Sequence, residues 1–146
     1  MNITLTEAQI ASIVSDNSVD YSKNPIITSP EQAYEAVKHY GKLKQEHFLI
    51  LTLDGANRLI QIHEISKGTI TASLVHPREV FKRAIDDLAS SFIACHNHPS
   101  GNLKASNADI DVTERLQEVG KLVGINIIDH LIITKDSYNS IIKIIF

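Results

Sequence analysis

Hydrophobic positions recur with two different periods along this chain, and the first clear period is helical. A helix is predicted to begin at Pro30, because Ser29 is a favourable N-cap and proline fits the first helical position. Apolar and small residues then recur at helical spacing: Ala33, Ala36, Val37 and Tyr40. We expect Gly41 to end this helix.

The next two hydrophobic segments predict a β-hairpin. The segment HFLILTL (47–53) is continuously apolar, as in a buried strand, and the turn sequence DGAN (54–57) follows it. The segment RLIQIHEI (58–65) alternates with a period of two. The alternation predicts one face with Leu59, Gln61, His63 and Ile65, and an opposite face with Ile60, Ile62 and Glu64.

The second half of the chain continues to mix strands and helices. Residues 69–75 and 91–95 predict short strands, separated by a helix from Pro77 to about Leu88. We expect five residues of this helix to face inward: Val80, Phe81, Ala84, Ile85 and Leu88. A polar loop, His96 to Ala105, follows the second strand.

A longer helix and two final strands complete the pattern. The helix is predicted from Ala108 to Val123, with Gly124 ending it. Its apolar stripe comprises Ile110, Val112, Leu116, Val119 and Val123. Residues 126–134 and 138–146 predict strands joined by a turn. The fold class is therefore α+β, or α/β with a mixed sheet.

Composition narrows the possible classes of protein. The chain has 146 residues, one cysteine and a net charge of −3, which excludes a disulfide framework and a cysteine-rich zinc site. We expect a cytoplasmic protein of one domain that makes no direct DNA contact through charge. No apolar run approaches the roughly 18 residues of a membrane span, and the N-terminus lacks the features of a signal peptide.

The segment from His96 to Asp109 carries the candidate chemistry. His96 and His98 are two residues apart at a strand end, so their side chains point to the same side. Asp109 lies on the first turn of the following helix if Ser106 is the N-cap. Two histidines and one carboxylate make three protein ligands, the usual number for a catalytic zinc, which activates a water molecule. The alternative is that the histidines are ordinary loop residues and that Ser106 and Asp109 form only a capping box.

Hydrolysis by such a site also needs a proton acceptor, most suitably a carboxylate. Glu46, which precedes the first strand of the hairpin, is the preferred candidate, and Glu64 in the second strand is the alternative. Glu46 by itself also fits an ordinary solvated residue at the start of a strand.

These residues reproduce a known motif. His96, His98, Ser106 and Asp109 have the spacing of the JAMM motif of the JAB/MPN metalloproteases, and the surrounding sequence resembles the bacterial RadC family. Four segments carry that resemblance: EHFLILTLDGANRLI from Glu46, HPREVFKRAI from His76, HNHPSG from His96 and DHLIIT from Asp129. Residues 25–146 then form a RadC-like JAB/MPN domain, preceded by an N-terminal extension of residues 1–24.

The resemblance implies a cytidine-deaminase-like fold of three layers, with helices packed on a mixed central sheet. It also implies a Zn²⁺ held by His96, His98 and Asp109. Ser106 would stabilise the oxyanion or the metal's water, and Glu46 would transfer the proton. The implied activity is that of a zinc metallopeptidase, a hydrolase that cleaves a peptide or isopeptide bond in an unidentified peptide or protein substrate.

The RadC resemblance also supports an alternative function. The chain would then be an accessory protein of DNA repair or of a mobile element, with a metal site that is structural or vestigial. Full-length RadC proteins usually carry an N-terminal helix-hairpin-helix region, a DNA-binding type of module, which we do not expect here.

Several further residues have alternative interpretations. In the extension, Thr6 and Gln9 could cap a helix, or residues 9–14 could form an edge strand. The isoleucine-rich C-terminus either forms a core strand or pairs with a second copy in a homo-oligomer. We expect Cys95 to be buried and inert, and Asp129 with His130 to be either a core pair or the support of a metal ligand.

Overall fold

The computed structural model describes residues 4–9, 20–71 and 73–143. Its strands are β1 (His47–Leu53), β2 (Leu59–Lys67), β3 (Ser91–Asn97), β4 (Asn126–Ile133) and β5 (Tyr138–Ser140). Its helices are α1 (Pro30–Val37), α2 (Pro77–Asp86) and α3 (Asn107–Val123), and a 3₁₀ helix, Lys38–Lys42, follows α1 directly. Among the described residues, no helix combines the length and apolarity needed to cross a membrane.

The five strands form one mixed sheet in the order β2-β1-β3-β4-β5. β1 is antiparallel to both β2 and β3, β3 and β4 are parallel, and β4 is antiparallel to β5. The parallel pair requires a crossover connection, which α3 supplies. The predicted mixed-sheet class is confirmed.

Helices cover both faces of the sheet, which gives the expected three layers. On one face, Val80 and Phe81 of α2 and Leu116 of α3 belong to a core that includes Phe48 and Phe92 of the sheet. On the other face, α1 contributes a second core through its own buried residues, Ala33 and Val37. Burial of these apolar residues on the two faces is the main favourable contribution to the folding of the domain.

The strict alternation predicted for β2 is wrong at two positions. Irregular pairing with β1 occurs at the Phe48–Leu49 and Thr52–Leu53 steps. An extra residue in one strand moves the following side chains to the opposite face. As a result Ile60 and Ile65 share the core under α2 and α3, whereas Leu59 and Ile62 belong to the core under α1.

Gly41 does not end α1, contrary to the prediction. The α-helix ends at Val37 and continues as the 3₁₀ helix, in which Gly41 is buried. A Cβ atom at Gly41 would lie 2.2 Å from the backbone oxygen of Thr134. Glycine is therefore needed here because the backbone of the turn after β4 packs directly against it.

Residues 69–71 and 73–75 do not form the predicted strand. The backbone N–H of Ile70 instead donates to the Glu46 carboxylate, and the N–H groups of Leu74 and Val75 donate to the Thr71 carbonyl. These three N–H groups are therefore occupied by a side chain or by a local turn, so they are not available to pair with another strand.

Several residues predicted to face inward are exposed. α2 ends at Asp86, before Leu88, and Leu88 has a positive φ of 52° and is 87% exposed. Three further members of the predicted apolar stripes are partly exposed: Ile85, Ile110 and Val123. The apolar stripe of each helix is therefore narrower than its sequence suggested.

The predictions for the two ends of the chain can be compared with the described residues there. Thr6 and Gln9 form the expected reciprocal capping contacts, in which each backbone N–H donates to the other side chain. The alternative edge strand falls mostly on residues 10–14, outside the described part. β5 ends at Ser140, earlier than predicted, and residues 141–143 are not extended as a strand. The last three residues of the predicted strand, 144–146, also lie outside the described residues.

Candidate metal centre

The two candidate histidine ligands lie where β3 ends. β3 extends to Asn97, two residues beyond the predicted end, so His96 is a strand residue and His98 follows it directly. Their side chains share one side of the sheet, and the Nε2 atoms are 2.9 Å apart. His96 is fully buried, whereas His98 faces the cleft. The spacing of two residues therefore brings the imidazoles together, as strand geometry requires.

The candidate carboxylate comes from the first turn of α3. Ser106 is the N-cap, and its hydroxyl accepts a hydrogen bond from the Asp109 N–H at 3.0 Å. The Asp109 carboxylate accepts from the Ser106 N–H at 2.8 Å, which completes a capping box. The expected capping interaction is thus present, and it also holds the Asp109 side chain beside the end of β3.

The three candidate ligands converge on one point. Asp109 Oδ1 is 2.9 Å from His96 Nε2, and Asp109 Oδ2 is 3.2 Å from His98 Nε2. Three possible ligand atoms, two nitrogens and one oxygen, lie within 4.8 Å of one another. Among the described residues, the group of His, Cys, Asp or Glu side chains that could hold a metal ion is His96, His98 and Asp109. The set is chemically suited to a divalent cation such as Zn²⁺.

The surroundings of these ligands shift their protonation. Burial tends to raise the pKa of Asp109, but its hydrogen bonds with His96 and His98 outweigh burial and hold that pKa well below the usual range. The Asp109 carboxylate raises the pKa of His98, against the opposing effect of burial. Asp109 therefore remains ionised and supplies negative charge between the two imidazoles.

A third histidine supports the site from behind. His130 in β4 is fully buried, and its Nε2 is 2.8 Å from His96 Nδ1. Burial, followed by the effect of His96, holds the pKa of His130 well below its ordinary value, so its imidazole is neutral. On its other side, His130 Nδ1 is 2.6 Å from the Thr113 hydroxyl of α3. His130 therefore contacts a candidate metal ligand directly.

Asp129 does not join this group. Its buried carboxylate accepts hydrogen bonds from the backbone N–H of His130, the Ser140 hydroxyl and the Ile142 N–H. These contacts fasten the chain after β5 to the sheet. Asp129 and His130 therefore have separate roles: Asp129 holds the chain after β5, and His130 contacts His96. The two side chains separate because neighbouring residues of a strand point to opposite faces.

Glu46 lies in the same cleft as the candidate ligands. Glu46 lines a cavity of about 470 Å³ together with His98, Ser106 and Asp109. One oxygen of its carboxylate accepts a hydrogen bond of 2.8 Å from the Ile70 N–H, and its backbone carbonyl accepts from the Gly68 N–H. The segment after β2 therefore holds both the backbone and the side chain of Glu46.

Glu64, the alternative proton acceptor, points elsewhere. Its carboxylate is 2.5 Å from His47 Nδ1, and it lines a different cavity with Glu79, Lys82 and Arg83. The cavity that contains the candidate ligands is not lined by Glu64. This difference in position favours Glu46 as the candidate for proton transfer at the metal ligands.

Asn97, between the two histidines, ties β3 to the start of β1. Its side-chain oxygen accepts from the His47 N–H at 2.7 Å, and its amide donates to the Gln45 carbonyl at 2.9 Å. Glu46 lies between these two anchored residues. Asn97 therefore links the position of Glu46 to the position of the histidines. Ser100, by contrast, acts within its loop by accepting from the Asn102 N–H.

Cys95 lies outside the candidate site, whereas Thr113 lies behind it. Cys95 is fully buried in the core on the α1 side, and burial raises the pKa of its thiol well above the ordinary value, as expected for an inert cysteine. The sequence interpretation missed Thr113, although one signal was available. Thr113 lies four residues after Asp109 and therefore shares its face of α3.

Comparison with known proteins identifies one family. The family model described as RadC-like JAB domain matches residues 27–144. A UPF0758 protein of Geotalea uraniireducens is 45% identical over 116 residues, which is 79% of this chain and 51% of that protein. A UPF0758 protein of Finegoldia magna is 54% identical over 103 residues, covering 70% of this chain and 46% of that protein. The chain thus spans about half the length of the curated relatives that it matches.

Proposed function

This chain belongs to the RadC-like JAB domain family, and we propose that it is a zinc-dependent hydrolase that cleaves a peptide or isopeptide bond. The observation that supports this proposal is the convergence of His96, His98 and Asp109 in the same cleft as Glu46. Three ligands of this type are the usual protein contribution to a catalytic zinc, which leaves one coordination position for a water or substrate.

The chemistry of the donor set fits a zinc ion. His98 Nδ1 is 2.6 Å from the Asn102 carbonyl, which can only accept, so Nδ1 carries a hydrogen. In the neutral imidazole, Nε2 is then the nitrogen whose lone pair is left to bind a metal. The Asp109 carboxylate faces the two Nε2 atoms with its negative charge. Histidines bind a metal as neutral imidazoles, so the ligand set would carry the single negative charge of Asp109, which favours a divalent cation.

In the proposed reaction, the metal would activate the water and the carbonyl group, and a side chain of the protein transfers the proton. A bound Zn²⁺ would supply Lewis acidity, which lowers the pKa of water and polarises a carbonyl group. Glu46 is the proposed base, which accepts a proton from the attacking water and delivers it to the leaving amine. Its hydrogen bond from Ile70 fixes one carboxylate oxygen. The second oxygen is therefore the one we assign to proton transfer.

Ser106 has a structural role that is compatible with a second one. Its hydroxyl oxygen accepts the Asp109 N–H in the capping box. The hydroxyl hydrogen is a separate donor, and Ser106 lines the cleft beside Asp109. We assign this donor to the oxyanion that forms when the substrate carbonyl is attacked, because hydrogen bonds to developing charge lower the barrier.

The proposal is tested by metal content and hydrolysis together. Purified protein should hold one zinc per chain, and His98→Ala should lose it. Glu46→Gln should keep the zinc but lower hydrolysis of a panel of peptide and isopeptide-linked fluorogenic substrates by about 10²-fold or more. Glu64→Gln is the matched control, since Glu64 lies outside the cleft, and it should retain both properties. Full zinc occupancy in His98→Ala would refute the assigned site.

A second candidate function rests on the RadC-like family, and the capping box is compatible with it. Ser106 and Asp109 stabilise the start of α3 whether or not the site is catalytic. In this second proposal, the chain is an accessory protein of DNA repair or of a mobile element, and its metal site is structural or vestigial. Zinc bound to both the wild type and Glu46→Gln, with no hydrolysis of the substrate panel by either protein, would favour this function over the first.

A further inference from the structure

A closed series of contacts connects the candidate metal ligands to a histidine and a threonine behind them. Asp109 Oδ1 is 2.9 Å from His96 Nε2, and His96 Nδ1 is 2.8 Å from His130 Nε2. His130 Nδ1 is 2.6 Å from Thr113 Oγ1, which is 2.8 Å from the backbone oxygen of Asp109. The series therefore begins at the side chain of Asp109 and ends at its own carbonyl.

All of these groups are buried, so the hydrogens in the series must be arranged consistently. His96 and His130 are fully buried, and Thr113 is 4% exposed. A neutral imidazole has one N–H donor and one acceptor nitrogen, and a hydroxyl has one hydrogen. Fixing the position of one hydrogen therefore fixes the others, because a buried polar group without a partner is costly.

Only one arrangement gives His96 Nε2 a free lone pair. His96 then carries its hydrogen on Nδ1 and donates it to His130 Nε2. His130 must in turn carry its hydrogen on Nδ1 and donate it to Thr113 Oγ1. The Thr113 hydroxyl finally donates to the Asp109 carbonyl, so every donor in the series has an acceptor.

In the reverse arrangement, His96 Nε2 carries a hydrogen and has no free lone pair. If the Thr113 hydroxyl donates to His130 Nδ1, His130 donates from Nε2 to His96 Nδ1. His96 then carries its hydrogen on Nε2 and donates it to the Asp109 carboxylate. The choice between the two arrangements depends on Thr113, because its hydroxyl can accept from an imidazole while donating to a carbonyl.

We propose that His130 and Thr113 are positioning residues that hold His96 in the tautomer whose Nε2 faces the metal, with the Thr113 hydroxyl as the required acceptor. The inference rests on the metal site of the proposed function. It adds a specific dependence of metal affinity on a side chain that does not contact the metal. The edge-to-face packing of Phe48 against His130, with ring centroids 5.5 Å apart, fixes the plane of the supporting imidazole.

Two substitutions at Thr113 separate this role from a structural one. Thr113→Val keeps the shape of the side chain but removes the acceptor, whereas Thr113→Ser keeps the hydroxyl and removes a methyl group. We expect Thr113→Val to weaken zinc affinity by about 10- to 100-fold, as for other residues that support metal ligands. Thr113→Ser should bind zinc close to the wild-type affinity. The measurement is competition for zinc with a chromophoric chelator, after circular dichroism has shown that each variant is folded.

A second measurement requires no variant of Thr113. In zinc-loaded wild-type protein labelled with ¹⁵N-histidine, the long-range ¹H–¹⁵N spectrum should show His130 protonated at Nδ1 and unprotonated at Nε2. Protonation at Nε2, or equal zinc affinity of Thr113→Val and Thr113→Ser, would overturn the inference while leaving the metal site intact. Failure of the wild type to bind zinc would instead overturn the proposed function, and the inference with it.

Discussion

Asp109 combines a capping role with a proposed role in metal binding, and a single substitution can separate the two. Its carboxylate accepts the Ser106 N–H at 2.8 Å and lies 2.9 and 3.2 Å from the Nε2 atoms of His96 and His98. In Asp109→Asn, the amide oxygen can still accept from Ser106, but the negative charge between the imidazoles is gone. We therefore expect the variant to remain folded while losing the stabilisation that zinc gives to the wild type.

The size of that loss follows from linkage. A ligand that binds only the folded state at 1,000 times its dissociation constant adds about 4.1 kcal/mol of stability. For a domain of this size, 1 kcal/mol corresponds to roughly 2–4 °C in melting temperature. Zinc should accordingly raise the melting temperature of the wild type by roughly 8–16 °C. It should leave that of Asp109→Asn nearly unchanged.

The assay is thermal unfolding followed by circular dichroism, with and without the same excess of zinc. Ser106→Ala is the matched control, since it removes the hydroxyl that caps α3 but no metal ligand. It should lower stability by about 1 kcal/mol in both conditions and keep the zinc-dependent increase. An undiminished increase in Asp109→Asn would show that Asp109 is not a ligand. Loss of the increase in Ser106→Ala would show that the capping box, and not the ligand set, explains the effect.

Two further predictions concern the fold and the partners. Gly41→Ala should destabilise the protein by about 3 kcal/mol in denaturant unfolding, because the added Cβ would lie 2.2 Å from the Thr134 oxygen. Gly55→Ala, whose Cβ would meet only the Ser90 hydroxyl at 3.5 Å, should change stability little, and equal effects of the two substitutions would contradict this explanation. With a net charge of −3, the chain should bind duplex DNA with a dissociation constant weaker than about 10⁻⁴ M. Tighter binding that weakens as salt is raised would indicate a local basic surface.

Local sequence patterns predicted the parts of the site that lie close together in the chain. The two-residue spacing of His96 and His98 is enough to place both imidazoles on one side of a strand. Ser106 and Asp109 form their capping box through contacts three residues apart. The start of α3, its end at Gly124 and the continuous strand β1 were predicted for the same reason, since short-range geometry decides them.

Such local patterns could not predict contacts between segments that are distant in the sequence. The pairing irregularities between β1 and β2 reassign Ile60 and Ile65 to one core, although the sequence alternates without interruption. Gly41 resembles a helix terminator, yet its function depends on the approach of Thr134, 93 positions later in the chain. Side-chain periodicity describes one segment at a time, so it contains no information about what packs against that segment.

The candidate site shows the same division. The sequence by itself determined which residues offer metal-binding atoms, because residue type and spacing along one strand and one helix turn are sufficient. Only the tertiary structure decided how those atoms are supported. The Ile70 N–H holds Glu46, and the parallel pairing of β3 with β4 brings His130 to His96 across 34 positions. These contacts depend on strand register and on the packing of α3, which are set by the burial of apolar residues across the whole domain and not by the residues that form the site.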